Sequence, residues 1–182
     1  MLSDEQLEDL FRKDRREGLR LTYVKYADGL YSVCRRYAVD DQEAQDFFHD
    51  AMLRVYDKAG AFRSQGEGSL LRWMSRVAVN MIVDGMRKKR NVRLLSMEEA
   101  VIDVPEPSPE QASMIPVEEM RRMIGSLSPV KKMVFNLFCI ESYSHKEIGK
   151  MLGITEEGSS STLSKARKEL AAMVNEYIKR RG

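Results

Sequence analysis

The residues of this chain that could do chemistry sort into faces, and none of those faces is a catalytic set. Asp46, His49, Asp50, Leu53 and Asp57 recur at helical spacing, opposite an apolar stripe of Ala44, Phe47, Phe48, Ala51, Met52, Val55 and Tyr56. Carboxylates are ordinary on a solvated face, but an apolar Leu53 among them is not. The ridge reads either as plain solvent-facing surface or as an acidic docking ridge for a basic protein partner.

A second face is cationic. At about 100° per residue, Arg72, Arg76, Val79, Asn80, Val83 and Arg87 share a sector about 100° wide, with Trp73 at its edge. Arginine grips phosphate in bidentate fashion, and asparagine reads a base edge in two directions. The run Arg87, Lys88, Lys89 and Arg90 extends the stripe. It points to phosphate contact more than to compensation of a helix dipole. Between the two faces lies a glycine-containing loop, Ala59–Ser69. Its Phe62 either tucks into the core or offers its ring to an unstacked base.

The third feature is S-H-K-E-I-G-K-M-L-G-I-T-E-E-G-S-S-S-T-L-S-K-A-R, from Ser144 to Arg167. Ser144 and Glu147 have capping-box spacing, Gly153 suits a left-handed stop, and Thr155 can cap a second helix whose Leu163, Ala166 and Leu170 face inward. Two short helices on a tight turn form a helix-turn-helix, whose second helix enters a DNA major groove. An ordinary helical hairpin gives the same pattern.

The elements that must hold these faces are helices. Apolar residues repeat at helical spacing near Asp4–Lys13, Leu19–Tyr37, Asp41–Ala59, Leu70–Lys89, Val117–Ser126, Pro129–Glu141, Lys146–Leu152 and Glu156–Lys179. Asp40 with Glu43 predicts a capping box, and Ser128-Pro129 an N-cap followed by proline at the first helical position. From Val92 to Pro116 the composition shifts to proline and acid, which predicts a mobile or extended tether. The expected organisation is all-α, with a domain at 1–91, a linker at 92–116 and a second domain at 117–182.

Charge supports the division. Val92–Glu119 carries 1 Lys+Arg against 7 Asp+Glu, whereas Met120–Gly182 carries 12 against 6, so the basic C-terminal third fits a polyanion. Cys34 and Cys139 both lie in apolar helical patterns, which predicts buried, reduced thiols. His49 and His145 are the two histidines, far apart and without metal-ligand spacing. Neither an enzyme active site nor a metal or cofactor site is expected. The polar N-terminus and the lack of a long apolar run predict a cytoplasmic protein without membrane insertion.

Together these residues resemble a bacterial RNA polymerase sigma factor of the extracytoplasmic-function (ECF) type, in the sigma-70 family. R-R-Y-A-V-D-D-Q-E-A-Q-D-F-F-H-D-A-M-L-R-V-Y, then F-R and W-M-S-R-V-A-V-N-M-I-V-D-G-M-R-K-K-R, are similar to region 2. L-S-P-V-K-K-M-V-F-N-L-F-C-I-E-S-Y-S followed by the helix-turn-helix is similar to region 4. The resemblance implies core RNA polymerase and promoter DNA as partners, and allows an anti-sigma factor as a restraining one. Asp46, His49, Asp50, Leu53 and Asp57 would dock on the β′ clamp helices, and region 4 would also touch the β flap. Phe62, Arg63, Arg72, Trp73, Arg76, Asn80, Arg87, Lys88, Lys89 and Arg90 would handle the −10 element and the opening strands. Ser159, Ser160, Thr162, Lys165, Arg167 and Lys168 would meet the −35 element. Ser142 stands where the family commonly has glycine.

Two other classes fit parts of the chain: a free-standing helix-turn-helix repressor, and an interaction protein that sequesters a regulator. The acidic ridge with Leu53 favours the sigma reading, because a repressor has no use for it.

Overall fold

Polar caps set where the helices begin. In the computed structural model, which describes residues 1–90, 105 and 107–180, Ser3 starts α1 (Asp4–Lys13) with a complete capping box closed by Gln6. Asp14 then ends α1 and starts α2 (Arg15–Tyr37), its carboxylate accepting the Glu17 N–H. That cap moves the start of α2 ahead of the expected Leu19. Asp40 caps α3 (Asp41–Lys58) by accepting the Glu43 N–H. The Glu43 carboxylate reaches the Val39 N–H at 2.8 Å, so the expected box closes one residue further out. A 3₁₀ turn, Ala59–Ala61, leads into the loop before α4 (Ser69–Arg90).

The described residues fall into two units, Met1–Met86 and Arg87–Gly182, and contain no strand. In the first unit α2 packs on both α1 and α3. Its core takes Leu7 and Phe11 from α1, Leu30, Val33 and Cys34 from α2, Ala44, Phe48 and Val55 from α3, and Leu70, Met74 and Ile82 from α4. Fully burying one such aliphatic side chain is worth about 1.5–3 kcal/mol. A Cβ on Gly29 would come within 3.0 Å of the Leu71 side chain, so the bare backbone of α2 makes room for that leucine of α4.

In the second unit α5 (Pro109–Ser113), α6 (Val117–Ser126) and α7 (Pro129–Phe135) precede a π-helical turn, Asn136–Ile140. Then come α8 (His145–Leu152) and α9 (Glu156–Lys179). Both α7 and α8 pack on α9, around Met133, Val134, Leu137, Ile148, Leu152, Leu163 and Ala166. Ser128 precedes Pro129 at the first helical position but makes no side-chain cap bond.

Part of the expected tether is ordered. The Asn175 amide donates to the Pro105 carbonyl at 3.0 Å, α5 is helical, and Ile115 is buried. Residues 91–104 and 106 lie outside the described residues, as do the side chains of Lys89 and Arg90. Cys34 is buried as expected, and burial pushes its thiol up to about 12. Cys139 is exposed instead. It sits in the π turn, whose wider ring rotates following residues off the α-helical phase on which the apolar pattern was counted.

Candidate nucleic-acid interface

On α3, Asp46, His49, Asp50, Leu53 and Asp57 are all exposed, and they form the side of the helix opposite buried Ala44, Phe48, Ala51 and Val55. Leu53 is 65% exposed. Phe47 is half-buried and Tyr56 exposed, with the Arg15 guanidinium 5.7 Å from the Tyr56 ring centre, so the buried stripe is narrower than expected. A leucine left in water between carboxylates is a small apolar site with an electrostatic surround.

The start of α4 is fixed by a residue distant in sequence. The Leu70 N–H donates to Asp4 Oδ2 at 2.9 Å, while Asp4 Oδ1 accepts from Tyr26 at 2.5 Å and Lys25 at 3.1 Å. Lys25 also pairs with Glu67 at 2.5 Å. Burial alone would raise the Asp4 carboxyl, but the bonds from Tyr26, Leu70 and Lys25 override it and leave the pKa lowered. The Asp4 cluster therefore stabilises the first turn of α4 and the loop that precedes it. None of this was legible as a site in the sequence.

Phe62 is a correction. It is 1% exposed and packs against Trp73 with ring centres 5.5 Å apart, so its ring is not offered to a base. It anchors the loop to α4 instead. Arg63 folds back, donating to the Gly60 carbonyl at 2.8 Å and the Phe62 carbonyl at 2.6 Å, with Glu8 3.9 Å away. The Ser64 N–H donates to Glu8 at 2.6 Å, and the Gln65 N–H to Ser69 at 3.1 Å. Gly66 and Gly68 hold φ of 92° and 78°, the left-handed region that favours glycine.

On α4, Arg72, Arg76, Asn80, Arg87 and Lys88 are exposed and Trp73 is half-buried. Val79 and Val83, counted in the same sector, are buried, Val79 at its edge and Val83 between the arginines, so the polar face is interrupted along its length. What remains is three guanidiniums and an amide along one side of one helix, suited to phosphates and a base edge.

The second unit builds a helix-turn-helix. Ser144 and Glu147 close the capping box of α8, Gly153 ends it at φ 70°, and Thr155 caps α9 through the Gly158 N–H. A Cβ on Gly149 would stand 2.8 Å from the Ile154 carbonyl oxygen, so the tight turn requires glycine there. Ser142 adopts φ 60°, the conformation in which glycine is at ease. His145 stacks on Phe138 at 4.4 Å and shares a 2.9 Å hydrogen bond with Ser159.

That bond corrects the expected reading of α9. Ser159 is wholly buried and faces α8, not solvent. Thr162 is half-buried and donates to the Gly158 carbonyl at 2.7 Å. Ser160 and Arg167 are exposed, whereas Lys165 and Lys168 are half-buried. The Arg167 guanidinium lies 5.9 Å from the Phe138 ring centre and 3.9 Å from Cys139 Sγ, so part of it covers the π turn. Exposed residues that sequence reasoning missed are Ser161 and Ser164 on α9 and Lys146 and Lys150 on α8. Carrying the Leu163–Ala166–Leu170 phase back one step would have placed Ser159 inside. Among the described residues no group of three or more His, Cys, Asp or Glu could hold a metal, and no helix is long and apolar enough to cross a membrane.

These two arrangements match known sequence families. The Sigma-70 region 2 model matches residues 22–92, and the Sigma-70, region 4 model matches residues 117–170. The chain is 25% identical over 151 residues to ECF RNA polymerase sigma factor SigE of Mycolicibacterium smegmatis, covering 80% of this chain but 57% of that protein. It is 26% identical over 156 residues to ECF RNA polymerase sigma factor SigW of Bacillus subtilis, covering 80% of this chain and 82% of that one. The fold is similar to that of the sigma factor RpoE from Bartonella quintana, solved in complex with the anti-sigma factor NepR. The TM-score is 0.52 and the identity 16%, over 86% of this chain and 96% of that chain. With a region 2 bundle followed by a region 4 helix-turn-helix, and ECF sigma factors as relatives of both, this chain belongs to the sigma-70 family as a member of the ECF type.

Proposed function

We propose that this protein binds core RNA polymerase and directs it to promoters, where it initiates transcription without chemistry of its own. The observation that carries the reading is one chain holding both the Leu53 ridge on α3 and the helix-turn-helix of α8 and α9. Asp46, His49, Asp50, Leu53 and Asp57 are the docking side, taken by the β′ clamp helices. Arg72, Arg76, Asn80, Arg87 and Lys88, with Trp73 beside them, hold the −10 region as its strands part. Trapping unpaired bases by stacking and edge contacts needs no ATP. Residues 117–182 engage the −35 element and the β flap. An anti-sigma factor that covers these faces restrains the protein, and the cytoplasm is where all these partners meet.

Leu53→Glu and Asp50→Arg test the reading. Both side chains are exposed, so neither change should unfold the chain. Each should abolish co-purification with core polymerase and run-off transcription from a genomic promoter library. Unchanged co-purification would sink the docking assignment, and a chain that binds promoter duplex tightly without core would support a repressor instead.

A further inference from the structure

The reading face of α9 is not the one its sequence motif suggests. Ser159, Leu163, Ala166 and Leu170 are buried, at i, i+4, i+7 and i+11. Glu157, Ser161, Ser164 and Lys168 repeat the same spacing on the other side, within about 60° of one another at about 100° per residue. Glu157, Ser161 and Ser164 are exposed, and Glu157 stands in the first turn of the helix. In a helix-turn-helix it is the first residues of the second helix that reach base edges.

We propose that Glu157 is the base-selecting residue of −35 recognition, its carboxylate accepting a hydrogen bond from an exocyclic amine in the major groove. The inference rests on the sigma reading above. An ionised carboxylate accepts and cannot donate. In the major groove the donors are the amines of cytosine and adenine, whereas guanine O6 and N7 and thymine O4 are acceptors and repel it. Ser161, Ser164 and neighbouring Ser160 both donate and accept, so they discriminate weakly. Glu157 is therefore the group on this face with the sharpest preference.

A carboxylate at a helix N-terminus is also favoured by the helix dipole, and Glu156 and Glu157 both benefit from it. The dipole explains an acid in the first turn but gives it no preference among bases. Phosphate attraction comes from elsewhere in the unit. Lys146 and Lys150 are exposed one turn apart on α8, and Lys165 and Lys168 follow the serines on α9. Cations that position and an anion that selects are thus separated along the helix pair.

The test uses holoenzyme made from core polymerase and the full chain, with promoters randomised through the −35 window and a fixed −10 element. Wild type should enrich cytosine or adenine over guanine and thymine on one strand at one position, by roughly tenfold. Glu157→Ala should flatten that position and leave the others as they were. Glu157→Gln should shift it toward adenine, which a carboxamide grips in two directions. Preference unchanged in Glu157→Ala at every −35 position overturns the inference, as does wild-type enrichment of guanine or thymine at the position the variant flattens. Active holoenzyme with no −35 preference overturns this inference alone. Failure to form holoenzyme overturns the sigma reading and this inference with it.

Discussion

The Asp4 carboxylate accepts the backbone N–H of Leu70 at 2.9 Å, so the first helix of the chain caps the helix that carries the cationic face. Asp4 is 1% exposed and also takes Tyr26 and Lys25. Asp4→Ala leaves the Leu70 N–H and the Tyr26 hydroxyl without this acceptor, and should cost about 2–3 kcal/mol. Thermal unfolding followed by circular dichroism checks the loss.

The same cluster sets pH limits. Because the folded Asp4 carboxyl is held below its ordinary pKa, its contribution is present above the unfolded value near pH 4. It is lost as pH falls through the folded one. Tyr26 is pushed up to about 12 by burial and then by Asp4. Its contribution is full below about pH 10 and is lost as pH rises toward 12. Tyr26→Phe should flatten the alkaline limb of melting temperature against pH, and the acid limb in part, because the Tyr26 hydroxyl is one of the donors that hold the Asp4 carboxyl down.

Arg76→Ala and Asn80→Ala should impair promoter opening and leave core binding intact, since both side chains are exposed on α4 away from its packed side. Permanganate reactivity of thymines in the open complex reads the effect. A footprint equal to wild type would show that this face does not hold the opening strands.

Lys146→Ala and Lys150→Ala should weaken promoter binding evenly across −35 sequences. For every phosphate that a variant no longer neutralises, the slope of log affinity against log salt should become shallower by about 0.9. Altered base preference with an unchanged salt slope would contradict a phosphate role.

Two turn residues have opposite expectations. Ser142→Gly relieves a left-handed conformation at φ 60° and should stabilise the C-terminal unit by about 0.5–1 kcal/mol. Gly149→Ala drives a methyl to 2.8 Å from the Ile154 carbonyl oxygen and should cost about 1–3 kcal/mol. Promoter binding should fall with it while the core-docking face is unaffected. Differential scanning calorimetry of the full chain separates the two changes.

Local rules were legible wherever the determining atoms lie within a few residues. The bounds of α1, α6 and α9 are those expected from apolar spacing, and the Thr155 cap, the Ser144–Glu147 box and the Gly153 stop are read directly from residue type. Phe62 was ambiguous because its partner, Trp73, lies across a loop and on another helix. Asp4 gave no signal, since a carboxylate in a first turn looks like any dipole-favoured acid until Leu70 is brought to it. Cys139 misled through its helical type: the π turn changes the phase that pattern counting assumes to be constant.

The loop before α4 is hung from both ends, by Phe62 in the core and by Ser69 and Leu70 at the helix start. The span between them contributes no side chain to the core. Within it Gly66 and Gly68 are fixed by their left-handed backbone, Glu67 by Lys25, and Arg63 by the Gly60 and Phe62 carbonyls. That leaves Ser64 and Gln65 as the side chains that can drift in evolution while the bundle keeps its melting behaviour. A lineage could exchange those two side chains without first needing a compensating change in the scaffold.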